Sequence, residues 1–555
     1  MSQLPPLQID RDERVFPTLT AAHIARIAPH GRRHGVRAGD TLVEAGDAVV
    51  PFFVVLSGSL EIVQISGSTE RVVITPHQGQ FTGETNLISG RRALFRVRVR
   101  EAGEVIELTR EELVALVQVD AELGEILMRA FVLRRAELIA SGVGDAVLVG
   151  SSHSGGTLRA REFLTRNGHP FAYIDLDRDP DTQVLLDRFH ISAADIPVLI
   201  CRGELVLKNP SDQEIADCLG FNDAIDRVHV RDLVVVGAGP AGLAAAVYGA
   251  SEGLDVLVLE GRAPGGQAGS SSRIENYLGF PTGISGRELA DRAYVQAQKF
   301  GAQVAIASGA HALSCDRKPY ALKIDNGSTV PARTVIIATG AEYRRPALDN
   351  LSKFEGSGIY YGATFIESQL CIDNEVVIVG GGNSAGQGAV FLAQTAKHVH
   401  VLVRGPGLSD TMSRYLIRRI EENPAITLHP YTEIVALEGD DHLERVRWRT
   451  KPDGREETCD VRHLFLMTGG VPNTSWLNGC LVLDSNGFIK TGPDLTANDL
   501  AQVKWPLNRP PHLLETSLPG VFAVGDVRGG SIKRVAAAVG EGSIAISFVH
   551  QALRE

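Results

Sequence analysis

Two stretches of this 555-residue chain place glycines where a backbone can approach a pyrophosphate. In the first, the apolar run at 232–236 enters Gly237-Ala-Gly239-Pro240-Ala241-Gly242, and small residues at 243–250 leave it in helical register. Glycine there permits the tight turn, lets main chain touch phosphate and packs helix on strand. The helix N-terminus adds unpaired N–H groups and the positive end of its dipole. The next apolar run, 255–260, ends in Glu260, where a carboxylate can accept a ribose hydroxyl. In the second stretch, the run at 375–379 enters Gly380-Gly-Gly382-Asn383-Ser384-Ala385, with Ala385 in the third glycine's place, which the pattern permits. The strand that follows, 398–404, ends in Arg404 instead of an acid. A cation there suits the 2′-phosphate of NADP; a solvated surface arginine is the plain alternative. A site for each of two dinucleotides means that electrons pass between them.

The elements that must position these turns fit the composition. At 44% hydrophobic, 555 residues can build three or four packed domains. A net charge of −11 offers no basic footprint for nucleic acid. The start, Met1-Ser-Gln-Leu-Pro-Pro, carries no charged and apolar leader, and nowhere do 18 apolar residues run together, so a cytoplasmic protein without membrane contact is expected. Cys201, Cys218, Cys315, Cys371, Cys459 and Cys480 are scattered without CxxC spacing. That spacing suits a reducing compartment and lacks the usual zinc signatures, so no metal is expected. The segments 141–144 and 222–231 read as linkers.

Residues 228–555 resemble the low-molecular-weight thioredoxin reductases. The resemblance is carried by Gly237–Gly242, Gly265-Gly266-Gln267, Ile274-Glu-Asn276-Tyr-Leu-Gly-Phe-Pro281, Ala338-Thr339-Gly340, Gly380–Ala385, Gly469-Gly-Val-Pro-Asn-Thr474 and Gly520-Val-Phe-Ala-Val-Gly-Asp526, in that order. It implies FAD in a domain split between 228–345 and 472–555. Asp526 would lie on the ribityl chain and the backbone near Val535-Ala536 at the isoalloxazine. It also implies an NAD(P)H domain at 346–471 that swivels during turnover.

The chain departs from that family at its redox centre. The family carries Cys-x-x-Cys just before the second nucleotide strand; here Tyr360-Tyr-Gly362-Ala-Thr-Phe365-Ile-Glu367 has Gly362 and Phe365 at the cysteine positions, so no catalytic residue is identified. Neither residue can form a disulfide. Cys371 lies six residues beyond Phe365, about 9 Å along a helix axis, and reads as a buried, inert thiol. The family's arginine cluster for the 2′-phosphate is reduced to Arg404, with Arg414, Arg418 and Arg419 as substitutes or as the solvated face of a helix. NADPH is expected, with NADH open.

From 145 to 222 the order is strand, helix, strand, helix at 182–189, strand, strand, helix, which resembles a glutaredoxin or thioredoxin domain with Ile196-Pro197 at its cis-proline. Ser154 and Thr157 fall at its two cysteine positions. His153 beside Ser154 offers a Ser–His pair only if two loop neighbours aim at each other; a docking or spacer module is the plainer reading.

Residues 1–140 resemble cyclic-nucleotide-binding β-rolls with helices. Short β-runs lead to Gly79-Gln-Phe81-Thr-Gly83-Glu84, and a helical stretch at 109–139 closes the domain. The resemblance implies Gly83 and Glu84 at a cyclic nucleotide's phosphate and ribose. The phosphate arginine is replaced by Ala93, which leaves Arg91, Arg92 or Arg96 to rescue the contact, or to form the exposed edge of a strand with Arg98 and Arg100. No helix-turn-helix signal follows. Both resemblances imply a two-fold homodimer, for which the apolar stripes of 113–138 are one candidate face and intradomain core the alternative.

The expected fold is thus multidomain: β-roll, α/β thioredoxin-like domain, then two Rossmann-like FAD and NAD(P) domains. Three functions remain open. One is an FAD-dependent oxidoreductase that oxidises NAD(P)H and passes electrons to an unidentified acceptor, with its N-terminal domain as regulator. The second is a disulfide reductase with non-standard cysteines. The third is a non-catalytic redox sensor. A ferredoxin–NADP reductase of this type also lacks the cysteines, but the C-terminal aromatic extension of that group does not follow the last helix here.

Overall fold

The computed structural model describes residues 13–66, 69–151, 154–177, 195–202, 205–325, 327–409, 411–440, 442–477 and 479–555. The N-terminal domain is an antiparallel β-roll. Its long strand Arg96–Leu108 pairs with Arg32–Val36, Thr41–Val43 and Phe52–Ser66, and Phe52–Ser66 continues to Thr69–Ile74. Phe52, Phe81 and Phe131 meet in its core with ring centroids 5.6–6.1 Å apart. The single helix expected over 109–139 is two, Arg110–Val119 and Ala121–Ser141. Asp120 makes the break: it leaves helical geometry, and its carboxylate accepts the Leu123 N–H at 3.0 Å as the cap of the second helix. Apolar periodicity continues through such a corner, which is why the sequence pattern missed it. The stripe from Leu113 to Leu138 is buried inside this domain, as Leu113, Leu116, Leu123, Leu127, Phe131 and Leu138 all are, so it offers no free dimer face.

Next comes a four-stranded sheet ordered Phe171–Asp175, Ala146–Gly150, Val198–Cys201, Leu205–Lys208; its first pair is parallel and the others antiparallel. Helices Gly155–Arg166 and Asp212–Leu219 flank it, and the Ile196–Pro197 peptide is cis. The helix expected at 182–189, and His153, lie outside the described residues.

The flavin-type region has a parallel sheet in which Arg231–Val236 lies between Val256–Glu260 and Thr329–Ile337, with Gln303–Ile306 and Val521–Ala523 added and an antiparallel pair beside them. Helices Pro240–Ser251 and Val535–Ala552 cross so closely that a Cβ on Gly542 would lie 2.1 Å from the Ala241 carbonyl oxygen. The second Rossmann-like region aligns Ile359–Tyr360, His463–Leu466, Glu375–Val379, His398–Leu402 and Ile426–His429 in parallel. A three-stranded sheet, Thr432–Glu438, Arg445–Thr450 and Glu456–Cys459, covers it.

One apolar core runs from the four-stranded domain into the flavin-type domain: Leu148 and Phe163 share a cluster with Val235 and Ile546. Each phenylalanine buried in it contributes about 1.5–3 kcal/mol. The linker at 222–231 is therefore a seam, with Asn222 bonded both ways to the Ile306 backbone. The scattered cysteines read as suiting a reducing compartment, yet Cys201–Cys218 and Cys315–Cys480 are disulfides, 17 and 165 residues apart in sequence, which a search for CxxC spacing could not find. Among the described residues, no helix is long and apolar enough to cross a membrane.

Candidate functional site

Both glycine turns form where the sequence places them. Gly237 has φ +102°, and a Cβ on it would lie 2.4 Å from the Ala338 carbonyl oxygen; on Gly242 it would lie 1.8 Å from that of Gly237. These two glycines fold the turn itself. Gly239 instead leaves room, since a Cβ there would meet only the Gly266 Cα, at 3.9 Å. Gly239 starts helix Pro240–Ser251 with no side-chain cap, so the first N–H groups, Ala241's among them, stay available to an anion. Glu260, at the end of its strand, accepts N–H bonds from Ala238 at 2.7 Å, Arg262 at 2.9 Å and Ala263 at 3.2 Å. Its carboxylate is thereby fixed beside the turn.

Several other predicted flavin residues bond beside this turn. Gly265 donates its N–H to Ala238, Gln267 Nε2 donates to the Ala341 carbonyl at 2.5 Å, and Thr339 and Asn473 bond each other reciprocally. Gly340 has φ +65° and open space beside it. Asn276 is exposed. Asp526 is largely buried, and burial pushes its carboxyl above the ordinary range while Lys533 pulls the other way. Val535 and Ala536 open the last helix, again without a side-chain cap. Two uncapped helix ends, open space at Gly239 and Gly340 and the fixed Glu260 carboxylate fit an FAD.

In the second turn, Gly380 lies against the Met467 carbonyl, Gly382 has open space, and helix Asn383–Leu392 begins without a side-chain cap. Asn383 Oδ1 accepts the Ser413 N–H at 2.8 Å, and Ala385 is buried beneath. Arg404 is exposed and makes no ion pair among the described residues. Arg419 is engaged elsewhere, bound at 2.5 Å to Glu275 of the flavin-type domain. This cradle fits a second dinucleotide.

Two connections were not legible in the sequence. Tyr343, on the short strand Ala341–Tyr343 between the domains, packs against the apolar core of the second Rossmann-like region, and burial pushes its phenol up. Glu541 holds the Asp526 turn by accepting the Gly525 N–H at 2.6 Å and pairing with Arg528 at 2.7 Å. Neither residue lies within a glycine motif, so no local signal marks it.

At the vacated cysteine positions, Gly362 faces Ser270 of the flavin-type domain, and helix Phe365–Leu370 starts at Phe365. Thr364 and Glu367 form its capping box; burial pushes the Glu367 carboxyl up against those bonds. Cys371 is fully buried at the helix end, and burial pushes its thiol far up, so it is an inert core residue. Ser154 caps helix Gly155–Arg166, accepting the Thr157 N–H at 3.4 Å, and Thr157 is buried. Both serve structure.

In the β-roll, Gly83 has φ +100°, and Glu84 is held by the Thr85 hydroxyl at 3.0 Å and Arg135 at 3.3 Å. A pocket beside them is walled by Ile62, Phe81, Leu87 and Ala93, with Glu84, Arg134 and Glu137 as its charged groups. Arg92 is corrected as a ligand of this pocket: it donates to the Gly46 carbonyl at 3.2 Å and lies along Gly220. Arg91 is buried between Phe221, 4.4 Å from the ring centroid, and the Asn167 carbonyl, and Arg96 pairs with Glu44 and Glu70. None of the three replaces the missing phosphate arginine.

Comparison with known proteins agrees with this geometry. Residues 231–542 match the family described as pyridine nucleotide-disulphide oxidoreductase, and residues 33–120 match the cyclic nucleotide-binding domain. A thioredoxin reductase of Ureaplasma parvum is 32% identical over 323 residues, 58% of this chain and 96% of that protein. One of Escherichia coli O157:H7 is 32% identical over 318 residues, 56% and 93%. The crystal structure of T. acidophilum thioredoxin reductase superposes with a TM-score of 0.52 at 27% identity, over 59% of this chain and 99% of that one.

Proposed function

The chain belongs to the pyridine nucleotide-disulphide oxidoreductases, and from that premise we propose a thioredoxin-reductase-like enzyme that oxidises NADPH through FAD and passes the electrons on without a Cys-x-x-Cys. The supporting observation is the pair of cradles at the two uncapped helices, with Gly362 against Ser270 where a thiol would stand. FAD, when bound, supplies the hydride chemistry. The protein's own part is to bind and orient. Gly239 and the uncapped helix Pro240–Ser251 receive the flavin pyrophosphate, Glu260 receives the adenosine ribose, and Asp526 holds the ribityl chain through a hydrogen bond. Gly382 and the uncapped helix Asn383–Leu392 receive the nicotinamide dinucleotide, with Arg404 on its 2′-phosphate. The acceptor is an oxidised small molecule or protein that reacts without a thiol from this chain.

We read residues 145–222 as a thioredoxin-like module without its cysteines; the strand order and the Ile196–Pro197 cis peptide support that reading. It works as a spacer, sharing its core with the flavin domain. The β-roll acts as a regulator through Arg91, which reaches Tyr294 of the flavin domain.

Anaerobic titration with NADPH, following the flavin's visible absorbance, tests the central claim. Complete bleaching at one equivalent is expected. A second equivalent supports the other reading, a disulfide reductase, which the Cys201–Cys218 pair favours; loss of that extra equivalent in Cys218→Ser would then identify the pair as its source.

A further inference from the structure

Three side chains that the flavin chemistry does not use converge on the nicotinamide domain, at the sheet end away from its glycine turn. Glu375 opens the strand whose last residue, Val379, leads into Gly380, about 13 Å along a five-residue strand. Lys397 Nζ takes one carboxylate oxygen of Glu375, Oε1, at 2.8 Å. The other, Oε2, lies 3.5 Å from His400 Nε2 and 4.0 Å from Cys459 Sγ. These three atoms, Glu375 Oε2, His400 Nε2 and Cys459 Sγ, fall within 4.8 Å of one another, with the thiol donating to the carboxylate. Tetrahedral zinc, with nitrogen or oxygen at about 2.0–2.2 Å and sulfur at about 2.3 Å, spaces its ligands roughly 3.3–3.7 Å apart. Side-chain rotations that bring the widest pair about 1 Å closer would close this set around a cation.

The imidazole supplies an independent sign. His400 Nδ1 lies 3.0 Å from His429 Nε2, while His400 Nε2 is buried without a hydrogen bond. With the Nδ1 proton donated to His429, Nε2 turns its lone pair toward a carboxylate lone pair. A cation between them satisfies both, and the His429 contact is the kind that orients metal-bound imidazoles. Sulfur, nitrogen and a single oxygen select zinc over calcium or magnesium, which take oxygen ligands.

We propose that Glu375, His400 and Cys459 bind one zinc ion, with water in the fourth position, and that the ion staples the three-stranded sheet to the parallel sheet beneath it. Glu375 and His400 belong to the parallel sheet and Cys459 ends the covering strand Glu456–Cys459. On binding, the Cys459 thiol releases its proton to solvent and the thiolate donates an electron pair to the ion. The expectation of no metal is revised accordingly. Ligands 25 and 59 residues apart in sequence match no zinc signature, and only the sheet register brings them together.

The test uses the full-length flavoprotein, stripped with a chelator, given zinc, desalted and assayed for metal by atomic emission, with flavin content as the check on folding. One zinc per chain is expected in the wild type and in Cys371→Ser. Affinity is expected to fall at least about tenfold in His400→Gln and Cys459→Ser, and about 10- to 100-fold in His429→Ala. Cobalt added to the wild-type apoprotein should give a thiolate-to-cobalt charge-transfer band, a readout that needs no variant. A wild type that retains no zinc, a Cys459→Ser protein that retains it equally, or cobalt without that band overturns the site.

Discussion

Replacing Glu260 by glutamine tests the flavin cradle most directly, because its carboxylate bonds are all to backbone. Oε1 accepts from Arg262 and Ala263, and Oε2 from Ala238, at 2.7–3.2 Å. Glutamine keeps the two-donor side by turning its oxygen there, which faces its NH2 against the Ala238 N–H. One charge-assisted bond is lost, at about 1.5–3 kcal/mol, and the two that remain become neutral and weaker. Their sum is about 2–4 kcal/mol. Glu260 is partly exposed, so water relieves some of that cost and the lower end applies, about 2 kcal/mol or roughly 30-fold in affinity. Ala238 lies inside the turn that receives the pyrophosphate, so the loss should appear as weaker FAD binding. Flavin-free Glu260→Gln protein is titrated with FAD, following quenching of flavin fluorescence, against wild type prepared identically. A dissociation constant within threefold of wild type, with unchanged circular dichroism, refutes the assignment of Glu260.

Arg404→Ala is expected to raise KM for NADPH about five- to tenfold, one exposed charge–phosphate contact being worth about 1 kcal/mol after solvent screening. KM for NADH should not move; equal changes for both nucleotides in steady-state assays argue that Arg404 does not read the 2′-phosphate. Cys371→Ser should leave the NADPH equivalents needed for bleaching unchanged, since the thiol is buried and inert. Burial raises the Glu367 carboxyl above its ordinary 4.5, so above pH 4.5 the folded chain keeps a proton that the unfolded chain releases, and stability falls as pH rises through the raised value. Glu367→Gln keeps the capping box without titrating, so its Tm should gain on wild type from acid to neutral pH; parallel pH profiles count against a raised Glu367. Cyclic AMP should bind the β-roll no better than millimolar by calorimetry, because Ala93 stands at the arginine position; a micromolar constant contradicts that reading.

The two cradles were legible because their determinants are local. Gly237 and Gly380 sit at turns with positive φ, Glu260 ends its strand and Arg404 lies two residues past the end of His398–Leu402, and each lies within about thirty residues of the others in its own motif. What the sequence withheld depends on contacts between distant strands and helices. Tyr343 packs on the core of the second Rossmann-like region because the strand Ala341–Tyr343 pairs with Gly470–Pro472 at the domain junction. The Cys315–Cys480 bridge spans 165 residues for the same reason. The arginine string at 91–100 divides by environment: Arg96 and Arg98 pair with surface glutamates, whereas Arg91 is buried, and alternation along one strand could not tell them apart.

Arg91 also bears on how the domains depend on one another. It leaves the Gly83–Glu84 loop region and ends between Phe221, the Asn167 carbonyl and the Tyr294 hydroxyl, in the four-stranded and flavin-type domains. Arg135 runs a second connection: one face holds Glu84 at the β-roll pocket, and its Nε donates to the Gly168 carbonyl at 2.8 Å. A ligand that draws Glu84 into the pocket must therefore release Arg135 or pull Gly168 with it. Gly168 adjoins Asn167, whose side chain donates to the Arg262 carbonyl two residues past Glu260. A chain of polar contacts thus runs from Glu84 at the β-roll pocket through Arg135, Gly168 and Asn167 to the Arg262 carbonyl beside Glu260. Opening that face would take the Asn167 carbonyl and the Phe221 ring from Arg91 and the Gly168 carbonyl from Arg135, each lost charge-assisted bond costing about 1.5–3 kcal/mol, while Tyr294 and Glu84 stay as their partners.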